Sequence, residues 1–124
     1  MTSKELPPIK LSIPDCERLE RLATAASSPA AEFLAREVAR ATVVAPAAMR
    51  DVVAMNTNVE FRDDTTGQAR TVTLVYPEDA NLDQGRLSVL TPVGAALIGL
   101  SAGQSIEWQT PDGGWRSLTV LRVR

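Results

Sequence analysis

Carboxylates are the groups in this chain with the widest chemical reach. Glu78 and Asp79 stand side by side with Asp83 close behind, a grouping able to hold a hard cation or to move a proton. In a polar loop beside Pro77 and Asn81, such groups more simply face water, or steer a basic patch of a partner toward the loop. Asp15, Glu17 and Glu32 are further acids that would meet only if two N-terminal helices folded together in an unexpected geometry. Histidine is absent, which removes the commonest general base and the commonest transition-metal ligand together. Serine-histidine triads and zinc hydrolases are thereby excluded, while carboxylate, lysine or magnesium chemistry is not. The single cysteine, Cys16, lies at helical spacing from Ile13 and Leu19 and reads as a small core residue rather than a reactive thiol. Gly94 to Ser101 has the outline of a phosphate-binding loop, but Leu100 stands where the phosphate-reaching lysine must be, so nucleotide binding is rejected.

Thirteen basic residues against fifteen acidic ones leave a net charge of -2, with no long run of either sign. Nothing in that balance steers the chain toward a phosphate backbone, and no direct sequence-specific nucleic-acid binding is expected. A chain of 124 residues supports one core of ordinary size, or one compact domain with a short appendage. Met1-Thr2-Ser3-Lys4-Glu5 leads into no apolar run suited to a signal peptide or membrane span. With one cysteine and no internal disulfide to make, the expected setting is a reducing cytoplasm, away from membranes.

The elements that must position these residues begin with two helices. Ser12 precedes Pro14 and Asp15, so the serine can cap a helix while Asp15 reaches back to the cap. Ile13, Cys16, Leu19, Leu22, Ala23 and Ala26 then form one apolar stripe, and the helix should run to about Ala26. Ser27-Ser28-Pro29 stops it and starts a second helix, with Ser28 as cap and Pro29 in the first position. Ala30, Phe33, Leu34, Val38 and Ala41 give that helix its own stripe. So short a link favours antiparallel neighbours, predicting a helical hairpin with arms of about 13 residues, or roughly 20 Å. Glu32, Arg36 and Arg40 share a ridge on the second helix, with Glu32 and Arg36 at favourable four-residue spacing.

The segment from Thr42 to Asn58 mixes β-branched pairs, Pro46, alanines and two methionines, has no clean period and reads as a connector with one helical turn after Pro46. The expected division is a helical hairpin over 1–45, a connector over 46–58, and a second domain over 59–124. There Val59 to Arg62, Arg70 to Tyr76, Arg86 to Leu90, Ser105 to Gln109 and Trp115 to Val123 read as strands. Asp63-Asp64-Thr65-Thr66-Gly67 and Thr110-Pro111-Asp112-Gly113-Gly114 read as tight turns. Thr91 caps one short helix, Pro92 opens it and Gly99 ends it. The predicted class is therefore α+β: a largely antiparallel sheet packed on one helix, with Val72, Leu74, Leu87, Val89, Ile106 and Trp108 as core contributors.

The run from Leu87 through Thr91-Pro92-Val93-Gly94-Ala95-Ala96-Leu97-Ile98-Gly99, followed by Gly103, resembles the strand, Ser/Thr-Pro turn and helix of the C-terminal domain of the Gre transcript-cleavage factors. Val59-Glu60-Phe61 and Thr110 to Gly114 fall where that family has counterparts. Met55-Asn56-Thr57, Thr73 to Pro77 and Pro92 to Leu97 are most similar to the regulator of nucleoside diphosphate kinase family. The resemblance covers roughly the last two thirds of the chain. It implies an FK506-binding-protein-like C-terminal domain carrying an N-terminal antiparallel coiled coil.

The resemblance further implies a partner, bacterial RNA polymerase, contacted at the rim of its secondary channel. In the Gre factors acidic residues at the tip of the coiled coil help hold a catalytic magnesium. Here the expected tip, Ala25 to Ala31 with Ser27, Ser28 and Pro29 at its centre, has no carboxylate before Glu32. The expected function is therefore a regulator that is not an enzyme and needs no cofactor or metal. It would compete with cleavage factors and act on nucleoside diphosphate kinase indirectly. Carried over by motif, Leu90, Thr91, Pro92 and Val93 are the contact candidates. Thr91 and Pro92 serve equally as helix cap and first-turn proline, so both roles stay open. Arg36 and Arg40 are secondary candidates for an acidic channel entrance. The alternatives are an active cleavage factor using Glu32, alone or with Asp15 or Glu17, and a peptidyl-prolyl isomerase or interaction module on the same fold.

Overall fold

A computed structural model of the chain describes residues 6–110 and 112–124. The expectations for residues 1–5, and for Pro111 within its turn, lie outside the described residues. The order of elements is β1 (Lys10–Ser12), α1 (Ile13–Ala25), α2 (Pro29–Arg40), β2 (Thr42–Val44), β3 (Asn58–Asp63), β4 (Ala69–Val75), β5 (Arg86–Ser88), α3 (Pro92–Leu97), β6 (Ser105–Gln109) and β7 (Trp115–Val123). Single 3₁₀ turns occupy Pro46–Ala48, Pro77–Asp79 and Leu82–Gln84. The class is mixed α+β, as expected.

Each α-helix starts where a hydroxyl meets a proline. Ser12 Oγ accepts the Asp15 N–H at 3.3 Å, Ser28 Oγ accepts the Ala31 N–H at 3.0 Å, and Thr91 Oγ1 accepts the Gly94 N–H at 3.0 Å. These bonds satisfy amides that no helical turn can reach. Asp15 does not reach back to its cap. Its carboxylate instead accepts the Met55 N–H and the Tyr76 hydroxyl, each at 3.3 Å, and so staples α1 to the segment before β3 and to the end of β4. Ile13 was expected on the buried stripe but is 49% exposed, because the helix turns its Cys16-Leu19-Ala23 face inward. The helices α1 and α2 pack on each other, and α2 also packs on α3.

Five strands form one sheet in the order β5-β4-β3-β7-β6. Every pairing is antiparallel except β4 with β5, which run parallel. A register shift between Glu60 and Phe61 marks a bulge opposite β7. Val59, Phe61, Val72, Leu74, Ile106, Trp108, Leu118 and Val120 are buried on one face and join α3 in a single apolar cluster that also takes in Ile9, Leu11, Leu19 and Leu34. Of the expected core contributors, Leu87 is only partly buried.

A parallel pair outside the main sheet was not foreseen. Thr42–Val44, expected to begin an irregular connector, pairs with Lys10–Ser12. Strands this short leave no readable period, and β-branched Thr42, Val43 and Val44 become a strand only once their partner is beside them. The connector itself is no solvent tether, for Val52, Val53 and Met55 are all buried.

Three chain segments converge on Gly99. Its carbonyl accepts the Lys10 N–H at 3.1 Å and its N–H donates to Val53 O at 2.9 Å, while Val53 N–H donates to Leu100 O at 2.8 Å. Gly99 has a φ of +81°, and a Cβ there would lie 2.9 Å from the Ile9 Cβ. Glycine answers both the backbone conformation and the close approach.

Glu37, on α2, is 1% exposed, an ionisable group in the core that periodicity alone did not single out. Arg40 neutralises it with a two-pronged contact, Nε to Oε2 at 2.7 Å and Nη2 to Oε1 at 2.8 Å, and also donates to the Pro7 carbonyl. This arginine ties the end of α2 to the strand-leading N-terminal segment.

Two substitutions test these anchors. Gly99→Ala combines a positive-φ penalty with a clash and should lower unfolding free energy by about 2 kcal/mol or more in urea titrations. Arg40→Ala leaves a buried carboxylate unpaired and should cost about 3 kcal/mol in the same measurement, with Arg40→Lys recovering only part of it.

Candidate functional site

The first turn of α3 is built from short-range constraints. Thr91 accepts from Gly94 N–H and donates its own hydroxyl to Ser88 O at 2.7 Å, so its polar group is used at both ends within the fold. Gly94 lies so close to β5 that a Cβ would sit 2.2 Å from Ser88 O. That contact seats the helix against the end of β5 and leaves Pro92 exposed, with Val93 half-buried beside it. Leu90 is half-buried against the core, its N–H bonded to Ser88 Oγ at 3.1 Å.

Around Pro92 the surface is concave. One depression of about 190 Å3 is lined by Pro29, Ala30, Glu32, Phe33 and Arg36 of α2, by Pro92, and by Trp108 and Gln109 of β6. An adjoining one of about 470 Å3 is lined by Leu87, Thr91, Pro92, Val93, Trp108, Thr110, Asp112 and Arg116. They share Pro92 and Trp108 and together form a groove from the start of α2 to the start of β7. A residue from the expected tip, Pro29, is thus brought beside the α3 edge, together with Glu32 and Arg36. The groove was not legible beforehand, because Phe33 was assigned to the helical stripe and Trp108 to the core. The usable signal was an aromatic three residues before an arginine, Phe33 and Arg36, on a helix whose stripe was already supplied with aliphatic residues.

The charges around the groove differ in how they are held. Arg36 lies over the Phe33 ring at 5.9 Å and makes no ion pair within 4.0 Å among the described residues, so the expected Glu32–Arg36 contact is not formed. Arg116 donates to Asp63 at 2.6 Å. Burial opposes ionisation of Asp63, but the Thr65 N–H and the Arg116 guanidinium prevail and hold the carboxyl below its ordinary range. The Thr110 hydroxyl, with the Gly114 N–H, does the same for Asp112. Arg40 does not reach the groove, being engaged with Glu37 and Pro7.

The acids that could have carried chemistry are spent on structure or lie apart. Glu78 pairs with Arg18, whose guanidinium stacks 3.6 Å over the Tyr76 ring. The Tyr76 hydroxyl is pushed well above its ordinary range by burial and by the Asp15 carboxylate. Asp79 and Asp83 are exposed on their 3₁₀ turns. Cys16 is buried and its thiol donates to Glu20 at 3.5 Å. Burial, then Glu20, raises its pKa, which disfavours the reactive thiolate. At the turn between α1 and α2, Ser28 is the cap of α2, and Ser27 is exposed. Among the described residues, no helix is long and apolar enough to cross a membrane.

Comparison with known proteins matches residues 47–124 to the family described as transcription elongation factor, GreA/GreB, C-term, and residues 7–44 to the Rnk N-terminus. The chain is 41% identical over 121 residues to the regulator of nucleoside diphosphate kinase of Escherichia coli K12, covering 94% of this chain and 89% of that one. It is 39% identical over 83 residues to the transcription elongation factor GreA of Prosthecochloris aestuarii, and spans about half of that longer relative, 52% of its length. A solved structure titled as a prokaryotic transcription elongation factor GreA/GreB from Nitrosomonas europaea superposes with a TM-score of 0.74 at 42% identity, covering 94% of this chain and 98% of that one. A structure of the transcription factor Gfh1, at 21% identity and a TM-score of 0.51 over 97% of this chain and 99% of its own, shares the fold alone. The chain belongs to the regulator of nucleoside diphosphate kinase family, within the transcription elongation factors that carry a GreA/GreB-type C-terminal domain.

Proposed function

We propose that this protein is a non-catalytic regulator that docks on RNA polymerase at the rim of the secondary channel. It competes there with Gre-type cleavage factors and changes elongation without cutting RNA. Control of nucleoside diphosphate kinase then follows indirectly, through transcription in the cytoplasm. In this reading residues 1–45 form a short antiparallel arm, 46–58 a connector, and 59–124 an FK506-binding-protein-like docking domain. Its contact edge is Pro92 with Val93, supported by Leu90 and Thr91.

The observation that carries the proposal is the pairing of a GreA/GreB-type domain with an arm that lacks the tip chemistry. The link between α1 and α2 is Ala26-Ser27-Ser28, flanked by Ala25 and Pro29. Holding magnesium calls for hard oxygen ligands, usually carboxylates, at that position. Glu32 lies a turn into α2 and lines the groove. Asp15 belongs to the far end of α1, about 15 Å along its axis from the link, with its carboxylate held by Met55 and Tyr76. Helices of 13 and 12 residues span only about 20 Å, a short reach for a channel.

Backtracked elongation complexes provide the test. Added alone, the protein should release no short RNA, and it should slow release driven by a Gre factor in proportion to its concentration. A Pro92→Glu variant, folded by circular dichroism, should need about tenfold more protein for the same slowing. Release of short RNA by the protein alone would make it a cleavage factor, and an unaltered Gre-driven rate would remove the competition.

A further inference from the structure

We infer that the groove beneath Phe33, Pro92 and Trp108 recognises an apolar side chain that its partner presents next to a carboxylate. The apolar group seats on those three residues and the carboxylate pairs with Arg36. The inference rests on the docking reading and states what the docked surface of the polymerase must look like to this protein.

The groove is composite, with walls from α2, α3 and β6, so it exists only when α2 is packed on α3. Pro29 and Pro92 occupy the first turns of capped helices, which makes the rim stiff before any partner arrives and lowers the entropic cost of docking. Arg18, Arg40 and Arg116 are neutralised by carboxylates of this same chain. Arg36 is not, although Glu32 lies one turn away, and its guanidinium extends the aromatic wall of Phe33. An arginine exposed over an aromatic ring and beside an apolar floor is suited to a planar carboxylate. One such cation beside Glu32, in a chain of net charge -2, is poorly suited to a phosphate backbone.

Trp108 adds a second, independent observation. It is 7% exposed, and its indole Nε1 is the buried side-chain polar atom without a hydrogen-bond partner among the described residues. Leaving a donor unsatisfied opposes folding. An oxygen that the incoming residue brings to this N–H removes that penalty on docking, so the groove gains more from an apolar residue with an adjacent acceptor than from an apolar residue alone.

The test measures binding of fluorescently labelled protein to core RNA polymerase by anisotropy. Relative to wild type, Arg36→Glu should weaken binding about tenfold or more and Trp108→Phe, which keeps the ring but removes the N–H, about threefold. Arg21→Glu, an equal charge change on the exposed side of α1, should bind within about twofold of wild type. Phe33→Ala, checked for folding by circular dichroism, should weaken binding even if Trp108→Phe proves unstable. Binding by Arg36→Glu equal to that of Arg21→Glu, or by Phe33→Ala equal to wild type, overturns the groove assignment alone. Failure of the wild type to bind polymerase overturns the docking reading and this inference with it.

Discussion

The arrangement depends on the backbone junction at Gly99. Lys10, Val53 and Leu100 meet there through three main-chain hydrogen bonds of 2.8 to 3.1 Å, and Ile9 lies flat against a position with no side chain. Hydrogen bonds of this kind contribute only about 1 kcal/mol each. Their importance is geometric, because they fix the strand before α1 against the end of α3. Ile9, Leu11, Leu97, Ile98 and Leu100 are buried around the junction, at about 2 kcal/mol for each large side chain. With α1 and α2 held there and α2 packed on α3, Phe33 and Trp108 come to line one groove.

Charged residues follow one economy across the molecule. Asp15 joins α1 to Met55 and Tyr76, Arg18 reaches Glu78, and Arg40 neutralises the buried Glu37. The first two hold α1 to the segments around β3 and β4, while Arg40, paired with Glu37 inside α2, ties the end of that helix to the N-terminal segment through the Pro7 carbonyl. What remains around the groove is an apolar floor with Glu32 and Arg36 beside it. The link between α1 and α2 carries alanine and serine, Ala26-Ser27-Ser28.

Local signals made most of the elements legible. Ser28 and Thr91 directly precede a proline, Ser12 stands two residues before one, and each caps a helix, and the strands from β3 to β7 fall within two residues of where alternation and glycine-bearing turns placed them. Such features depend on neighbours a few residues away. Those that were missed depend on distant parts of the chain. The β1–β2 pair joins segments about thirty residues apart with three residues on each side. Glu37 is buried because Arg40 folds back on it, and Asp15 left its cap because Met55 and Tyr76 arrive beside it. The groove residues were individually visible, Pro92 as a helix start and Trp108 as core, yet nothing local indicates that α2 comes to rest against α3.

Direct competition on the polymerase tests the central claim with no chemistry in between. Labelled protein bound to core RNA polymerase should be displaced stoichiometrically by an excess of unlabelled Gre factor, and equally by its own unlabelled form. Binding that persists at saturating Gre factor would place the protein elsewhere on the enzyme, and absence of binding would contradict the account outright.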